Sequence, residues 1–211
     1  MVQDTKQKIL DTAERLFGEQ GYDATSLRHI IAEAGVNLAA VHYHFGSKEE
    51  LLDEVVVRRA GPVNEARIAM LDRLEAAEGP PVVEKVLEAF LLPTAEAANR
   101  HPQFVKLMGR ILAEGLMPAI LEKHFQVAGG RFLGALRKAL PDLPRDELLW
   151  RVHFMFGAMA HTMCRAPVFP KMVGEPGDFD EPGDFQTRME RLVTFLSAGF
   201  RAPVARLEEM R

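Results

Sequence analysis

Residues Thr25 to Leu51 read TSLRHIIAEAGVNLAAVHYHFGSKEEL, two short helices around a tight turn followed by the start of a third. The first of the two carries Leu27, Ile30, Ile31 and Ala34 at the i, i+3, i+4, i+7 spacing of a half-buried helix. Gly35 follows, where a left-handed cap is wanted and glycine adopts it without steric cost. Asn37 can cap the second helix, in which Val41 and Phe45 turn inward while Leu38, Ala39, Ala40, His42 and His44 point elsewhere. This is a helix-turn-helix pattern, whose second helix enters the major groove of DNA.

The flanks extend the unit. Asp4-x-x-Gln7 can open a helix with the apolar stripe Ile9, Ala13, Leu16 and Phe17, which Gly21 ends. Tyr22 and the hydroxyl pair Thr25 and Ser26 lead into the next helix. Ser47 and Glu50 match the reciprocal capping box of a helix beginning at Lys48. Three helices in about fifty residues bury too little surface to be robust alone and should lean on that following helix.

These stretches carry a resemblance. ILDTAERLFGEQGYDATSLRHIIAEAGV followed by NLAAVHYHFGSKEELL is similar, almost position for position, to the amino-terminal domain of the TetR family of bacterial transcriptional regulators. The segments Leu149–Ala158 and Thr194–Arg201 resemble the carboxyl-terminal helices of fatty-acid-responsive TetR-type repressors. The resemblance implies an all-α protein. A three-helix DNA-binding domain at 1–47 would be joined by a connecting helix, 48–77, to an effector-binding and dimerisation domain at 48–211, with about nine helices in all. It further implies a homodimer that is released from double-stranded operator DNA by a small molecule.

Composition sets limits on this reading. The 211 residues are 47% hydrophobic and 27% charged, enough apolar content for a packed core and too much for a disordered chain. No run of eighteen apolar residues occurs, and MVQDTKQKIL has no apolar leader core, so neither a membrane span nor secretion is expected. The single cysteine, Cys164, cannot pair internally, which fits the reducing cytoplasm. The net charge is −4, and Lys6, Lys8, Arg15, Arg28 and Lys48 in the first unit are matched by nearby carboxylates. Sequence-blind electrostatic binding is thus disfavoured, leaving helix N-termini, hydroxyls and a few cations to hold DNA. The expected contacts are Tyr43 and Lys48 to the DNA backbone, with His44 beside them, and Thr25 and Ser26 are also expected to bind DNA. Asn37, Leu38, Ala39, His42 and Arg28 are expected at base edges.

Beyond Leu51 the chain reads as helical, with joints at Gly79-Pro80-Pro81, His101-Pro102 and Pro141–Pro144, and kinks or breaks at Gly61-Pro62 and Pro93. Pro118 suits the first turn of a helix. The tandem EPGDF between 166 and 185 reads as an acidic loop, after which Asp184 can cap a final helix bearing Met189, Leu192, Val193, Leu196 and Phe200. Ten methionines and thirteen phenylalanines favour an adaptable apolar cavity. Its expected lining is Phe104, Met108, Arg110, Ile111, Phe125, Phe132, Phe154, Met155 and Met159, with Arg110 receiving a ligand carboxylate or else pairing with Glu114. The expected dimer seam is Trp150, His153, Gly157, Ala158 and His161 against Val193, Leu196 and Phe200. The effector class that follows is a long acyl chain, free or as a thioester. An aromatic or drug-like effector, and a helical interaction module without DNA binding, are the alternatives. His161-x-x-Cys164 lacks companion ligands for a metal, and neither a catalytic constellation nor a cofactor motif can be assembled.

Overall fold

A computed structural model describes the backbone of residues 2–114, 118–164, 172, 174 and 185–204, and the side chains of these residues except 2–4, 113, 114, 118–121 and 164. The described residues form nine helices and no strand: α1 (Val2–Gln20), α2 (Leu27–Ala34), α3 (Leu38–Phe45), α4 (Lys48–Ala76), α5 (Val83–Arg100), α6 (Pro102–Glu114), α7 (Pro118–Ala139), α8 (Arg145–Cys164) and α9 (Phe185–Arg201). None of the described helices is long and apolar enough to cross a membrane.

The caps of the amino-terminal unit follow the sequence closely. Ser26 Oγ accepts from the His29 amide at 3.1 Å and starts α2. Gly35, at φ +64°, ends it, with its amide and that of Val36 returned to Ala32 O and Ile31 O. Asn37 Oδ1 accepts from the Ala40 amide at 2.8 Å to open α3. Ser47 and Glu50 satisfy one another's amides at 3.1 and 3.0 Å to open α4. The helix expected to open at Asp4 begins at Val2, so Asp4 lies inside α1 rather than at its cap.

Neither Gly61-Pro62 nor Pro93 breaks its helix. α4 runs unbroken through Gly61-Pro62, and α5 through Pro93. A proline inside a helix removes one backbone donor. Here the helices are held on both sides of it by buried neighbours: Val56, Ala60 and Arg67 along α4, Leu91, Thr94 and Ala95 along α5. The acidic repeat and the Asp184 cap lie outside the described residues.

One continuous core runs through both domains. Ile9, Leu16 and Phe17 of α1 pack with Ile30, Val41, Phe45, Leu51 and Val55, and the same cluster continues through α5 to α9. α1 also lies against α6 so closely that a Cβ on Gly18 would stand 2.5 Å from the Gln103 carbonyl oxygen. Beside this contact Glu14 is buried and accepts from Arg58 and, at 2.8 Å, from Arg59, while Asp11 accepts from Arg58 at 2.7 Å. Gly18→Ala should therefore lower stability by about 1–3 kcal/mol, since the added methyl meets a backbone atom that cannot swing away. Helix propensity alone gives the opposite sign, a gain of about 1 kcal/mol. A urea midpoint that rises in the variant would show that α1 and α6 do not touch as described.

Candidate functional site

The exposed face of the amino-terminal unit is built around α3. Leu38 is 52% and Tyr43 80% exposed, and Asn37, Ala39 and His42 share the open side while Val41 and Phe45 are buried. Exposing large apolar and aromatic groups at helix 3 of such a unit costs hydration, which is offset when they meet a groove or phosphate surface. His42 Nδ1 lies 3.0 Å from the Gly46 carbonyl, so Nδ1 carries a proton and donates to it, and Nε2 is left for a further partner. Asn37 spends its carbonyl on the cap and retains its amide donors. His44 is half-buried, edge-on to Tyr43 with ring centroids 5.1 Å apart. Arg28 and Ser26 are exposed at the start of α2.

Lys48 is the first residue of α4, and its ammonium sits 4.0 Å above the Tyr22 ring, whose hydroxyl donates to Glu49 at 3.0 Å. The cation–π contact holds the ammonium where the amino end of α4 also favours an anion. Thr25 turns inward, away from the face expected to meet DNA. It is wholly buried, and its hydroxyl bonds the Gly21 and Leu16 carbonyls at 2.8 and 3.3 Å, locking the α1–α2 corner instead of reaching outward. The hydroxyl pair in the sequence hides this, because which of two adjacent hydroxyls caps depends on where the preceding turn closes.

The larger domain holds a partly open cavity of about 410 Å³, within the size range of small-molecule sites. α4 contributes Ala60, Val63 and Arg67, and α5 contributes Phe90, Thr94 and Ala97. α6 adds Phe104, Val105, Met108 and Leu112; α7 adds Glu122, Phe125, Gln126 and Gly129; α8 adds Phe156, Met159 and Met163. Thus Phe104, Met108, Phe125 and Met159 stand where the sequence reading puts them. The other expected lining residues lie elsewhere. Ile111 and Met155 are buried in helix–helix contacts, and Phe132 sits behind the wall, stacked on Phe90 at 4.3 Å. Phe154 is 62% exposed on the outer side of α8.

Arg110 is also displaced from the cavity. It leaves α6 on the side facing α1 and donates to the Glu19 carbonyl at 3.3 Å. The Glu114 side chain lies outside the described residues. Arg67 is the guanidinium that does reach the cavity. The sequence reading passes over it because α4 carries many charges and its apolar pattern is weak, so no periodicity singles out position 67.

The geometry is that of a helix-turn-helix unit fused to a helical cavity, and sequence comparison points the same way. The family described as "Bacterial regulatory proteins, tetR family" matches residues 9–55, and "Tetracyclin repressor-like, C-terminal domain" matches residues 86–199, more than half of the chain. The chain belongs to the TetR family. It is 47% identical over 53 residues to HTH-type transcriptional regulator AcrR of Shigella flexneri, covering 25% of each protein. It is 28% identical over 140 residues to SrpR of Pseudomonas putida, covering 65% of this chain and 60% of that one. The first curated relatives are matched over 25%, 29% and 61% of their own lengths. Among solved structures, PfmR from Thermus thermophilus is similar with a TM-score of 0.62 at 21% identity, covering 92% of this chain and 99% of that chain. The fatty acid degradation regulator FadR from Bacillus halodurans has a TM-score of 0.60 at 16% identity, over 94% and 97% of the two chains. At these identities the structural likeness speaks for the fold alone.

On this TetR-family frame the outer face of α8 and α9 carries exposed apolar side chains. Trp150 is 58% exposed and stacks on Phe154 at 5.8 Å, with His153, Gly157 and His161 on the same side. On α9 the exposed line is Thr194, Phe195, Ala198 and Gly199, with Phe195 71% exposed. Val193, Leu196 and Phe200, assigned by sequence to the dimer seam, are instead buried within the protomer, where α9 packs along α5. Ala158 is half-buried against the core. The error is one of helix rotation: α9 is apolar on both sides, and periodicity does not say which side faces its own chain. Among the described residues no group of three or more histidine, cysteine or acidic side chains could hold a metal; the Cys164 side chain is not among them.

Proposed function

We propose that this TetR-family chain is a homodimeric, operator-binding transcriptional repressor of the cytoplasm, released from DNA when an apolar small molecule fills the cavity. The observation that carries the reading is that α6 bears cavity residues Phe104 and Met108 and also touches α1 through Gln103 and Arg110. α4 likewise joins Lys48 at its first turn to the cavity wall at Ala60, Val63 and Arg67. A ligand that prefers one setting of these helices would change the separation of two recognition helices that must lie roughly 34 Å apart on DNA. The best effector class is an acyl chain, supported by an adaptable wall of phenylalanine and methionine.

In this reading Tyr43, Lys48, Ser26 and His44 meet the phosphate backbone, and Asn37, Leu38, Ala39, His42 and Arg28 meet base edges. The aromatic faces of α8 and α9 pair with those of a second copy. The test is an electrophoretic shift on an operator selected from random-sequence DNA, followed by titration with saturated fatty acids of increasing length. The protein should bind one two-fold symmetric site, and release should sharpen by about 0.8 kcal/mol for each added methylene until the cavity is full. Failure to select any site would overturn the regulator reading; release by planar aromatic compounds alone would replace the effector class.

Lys48→Ala should weaken binding to every sequence alike and reduce the slope of log K against log salt by about one. A change in the preferred operator at constant slope would move Lys48 from the phosphates to the bases.

A further inference from the structure

Arg67 is buried, with 4% of its surface exposed, and lies on the cavity wall midway along α4. Three other arginines held mostly inside the fold have carboxylate partners: Arg58 and Arg59 share Glu14, and Arg151 takes Glu147 at 2.8 Å. Arg67 forms no ion pair among the described residues. Its partners are neutral: Nε donates to the Phe90 carbonyl at 2.9 Å, one terminal nitrogen to Asn64 Oδ1 at 3.1 Å, the other to Thr94 Oγ1 at 3.0 Å. These bonds use three of the five guanidinium N–H groups and leave one on each terminal nitrogen. The plane is also held 4.0 Å above the Phe90 ring. Thr94 Oγ1, itself on the cavity wall, accepts from Arg67, so its own proton is available for a further acceptor. The fork is thus preset in orientation while its charge is uncompensated.

We infer that Arg67, with Thr94, is the anion anchor of the cavity, and that the effector is an apolar monocarboxylic acid bound through its free carboxylate rather than as a thioester. An unpaired buried charge is unfavourable, and a planar carboxylate answers it with two parallel charge-assisted bonds. A neutral ligand of the same length leaves that charge buried and removes its access to water. Burial draws the guanidinium down to about 9, still protonated at neutral pH. Around the anchor the wall is apolar apart from Glu122 and Gln126, which are exposed. Glu122 would repel a second negative group, which selects for a single acid with an apolar tail. The site lies roughly 29 Å along α4 from Lys48, at 1.5 Å per residue. The inference names the ligand chemistry of the site in the proposed function and rests on that reading.

The test compares dodecanoic acid, dodecanol, methyl dodecanoate and dodecanoyl coenzyme A on the full chain by calorimetry and by operator release. The acid should bind about tenfold or more tighter than the alcohol or ester, and Arg67→Met should erase that difference by weakening the acid alone. Thr94→Val, which keeps the charge, should lower acid affinity by about threefold to tenfold. The carboxyl carbon of bound ¹³C-labelled acid should titrate below its free value in the wild type, a readout that does not depend on any variant folding. Equal binding of acid and alcohol, tighter binding of the thioester, or an acid preference surviving in folded Arg67→Met would overturn the anchor. Equal release of operator by all four compounds would overturn the anchor and leave the apolar-effector reading standing. Arg67-dependent acid binding that leaves operator binding unchanged would keep the anchor and overturn the effector role. Binding of none of the four overturns both.

Discussion

Phe154→Glu combined with Phe195→Glu should convert the protein to a monomer and lower operator affinity by about two orders of magnitude or more. Both rings stand mostly in solvent on the outer face of α8 and α9, so the substitutions remove no packing from the protomer core. In a two-fold dimer they would place four carboxylates in one seam, and burying unpaired carboxylates costs several kcal/mol each. Two half-sites held together gain a factor of about 10²–10⁴ over one through effective concentration, and this factor is lost with the seam. Sedimentation velocity at micromolar concentration should show a species of one-chain mass with an unchanged helical spectrum. Leu196→Glu makes the contrast: Leu196 is buried against its own chain, so that variant should unfold rather than dissociate. A double variant that remains a dimer would place the two-fold axis on another face.

Met108→Trp should abolish release by acyl ligands while leaving operator binding within about threefold of the wild type. Met108 is 5% exposed and projects from α6 into the cavity wall. The extra ring atoms enter existing space of about 410 Å³, so the strain of overpacking a filled core, about 1–3 kcal/mol, is largely avoided. Occupying the space removes the apolar burial that drives ligand affinity, at about 25 cal/mol for each Å² lost. Fluorescence anisotropy of labelled operator, titrated with dodecanoic acid, separates the outcomes. A variant that still responds would show that the effector does not bind beside α6. A variant that no longer binds operator at all would show that filling the cavity is itself the signal.

Local chemistry and tertiary packing divide this molecule clearly. The stretch from Ser26 to Glu50 was legible residue by residue, because its devices are local: Ser26, Asn37 and Ser47 bond amides three positions away, and Gly35 takes a conformation other residues resist. The joints at Gly79 and His101-Pro102, and the buried Val41 and Phe45, were legible for the same reason. The phenylalanine and methionine content also pointed to Phe104, Met108, Phe125 and Met159, which meet at the cavity.

Sequence by itself determined that the chain is a helix-turn-helix unit on an all-helical body, with the caps that start α2, α3 and α4. Only the tertiary structure decided that Thr25 locks a corner, that Phe195 rather than Val193 faces outward, and that Arg67 rather than Arg110 reaches the cavity. Capping and turn preferences act between residues a few positions apart, so they are written in the local sequence. The rotation of an amphipathic helix about its axis, and the choice of which buried charge goes without an opposite charge, depend on five helices brought together from residues 60 to 163. No window of neighbouring residues contains that information.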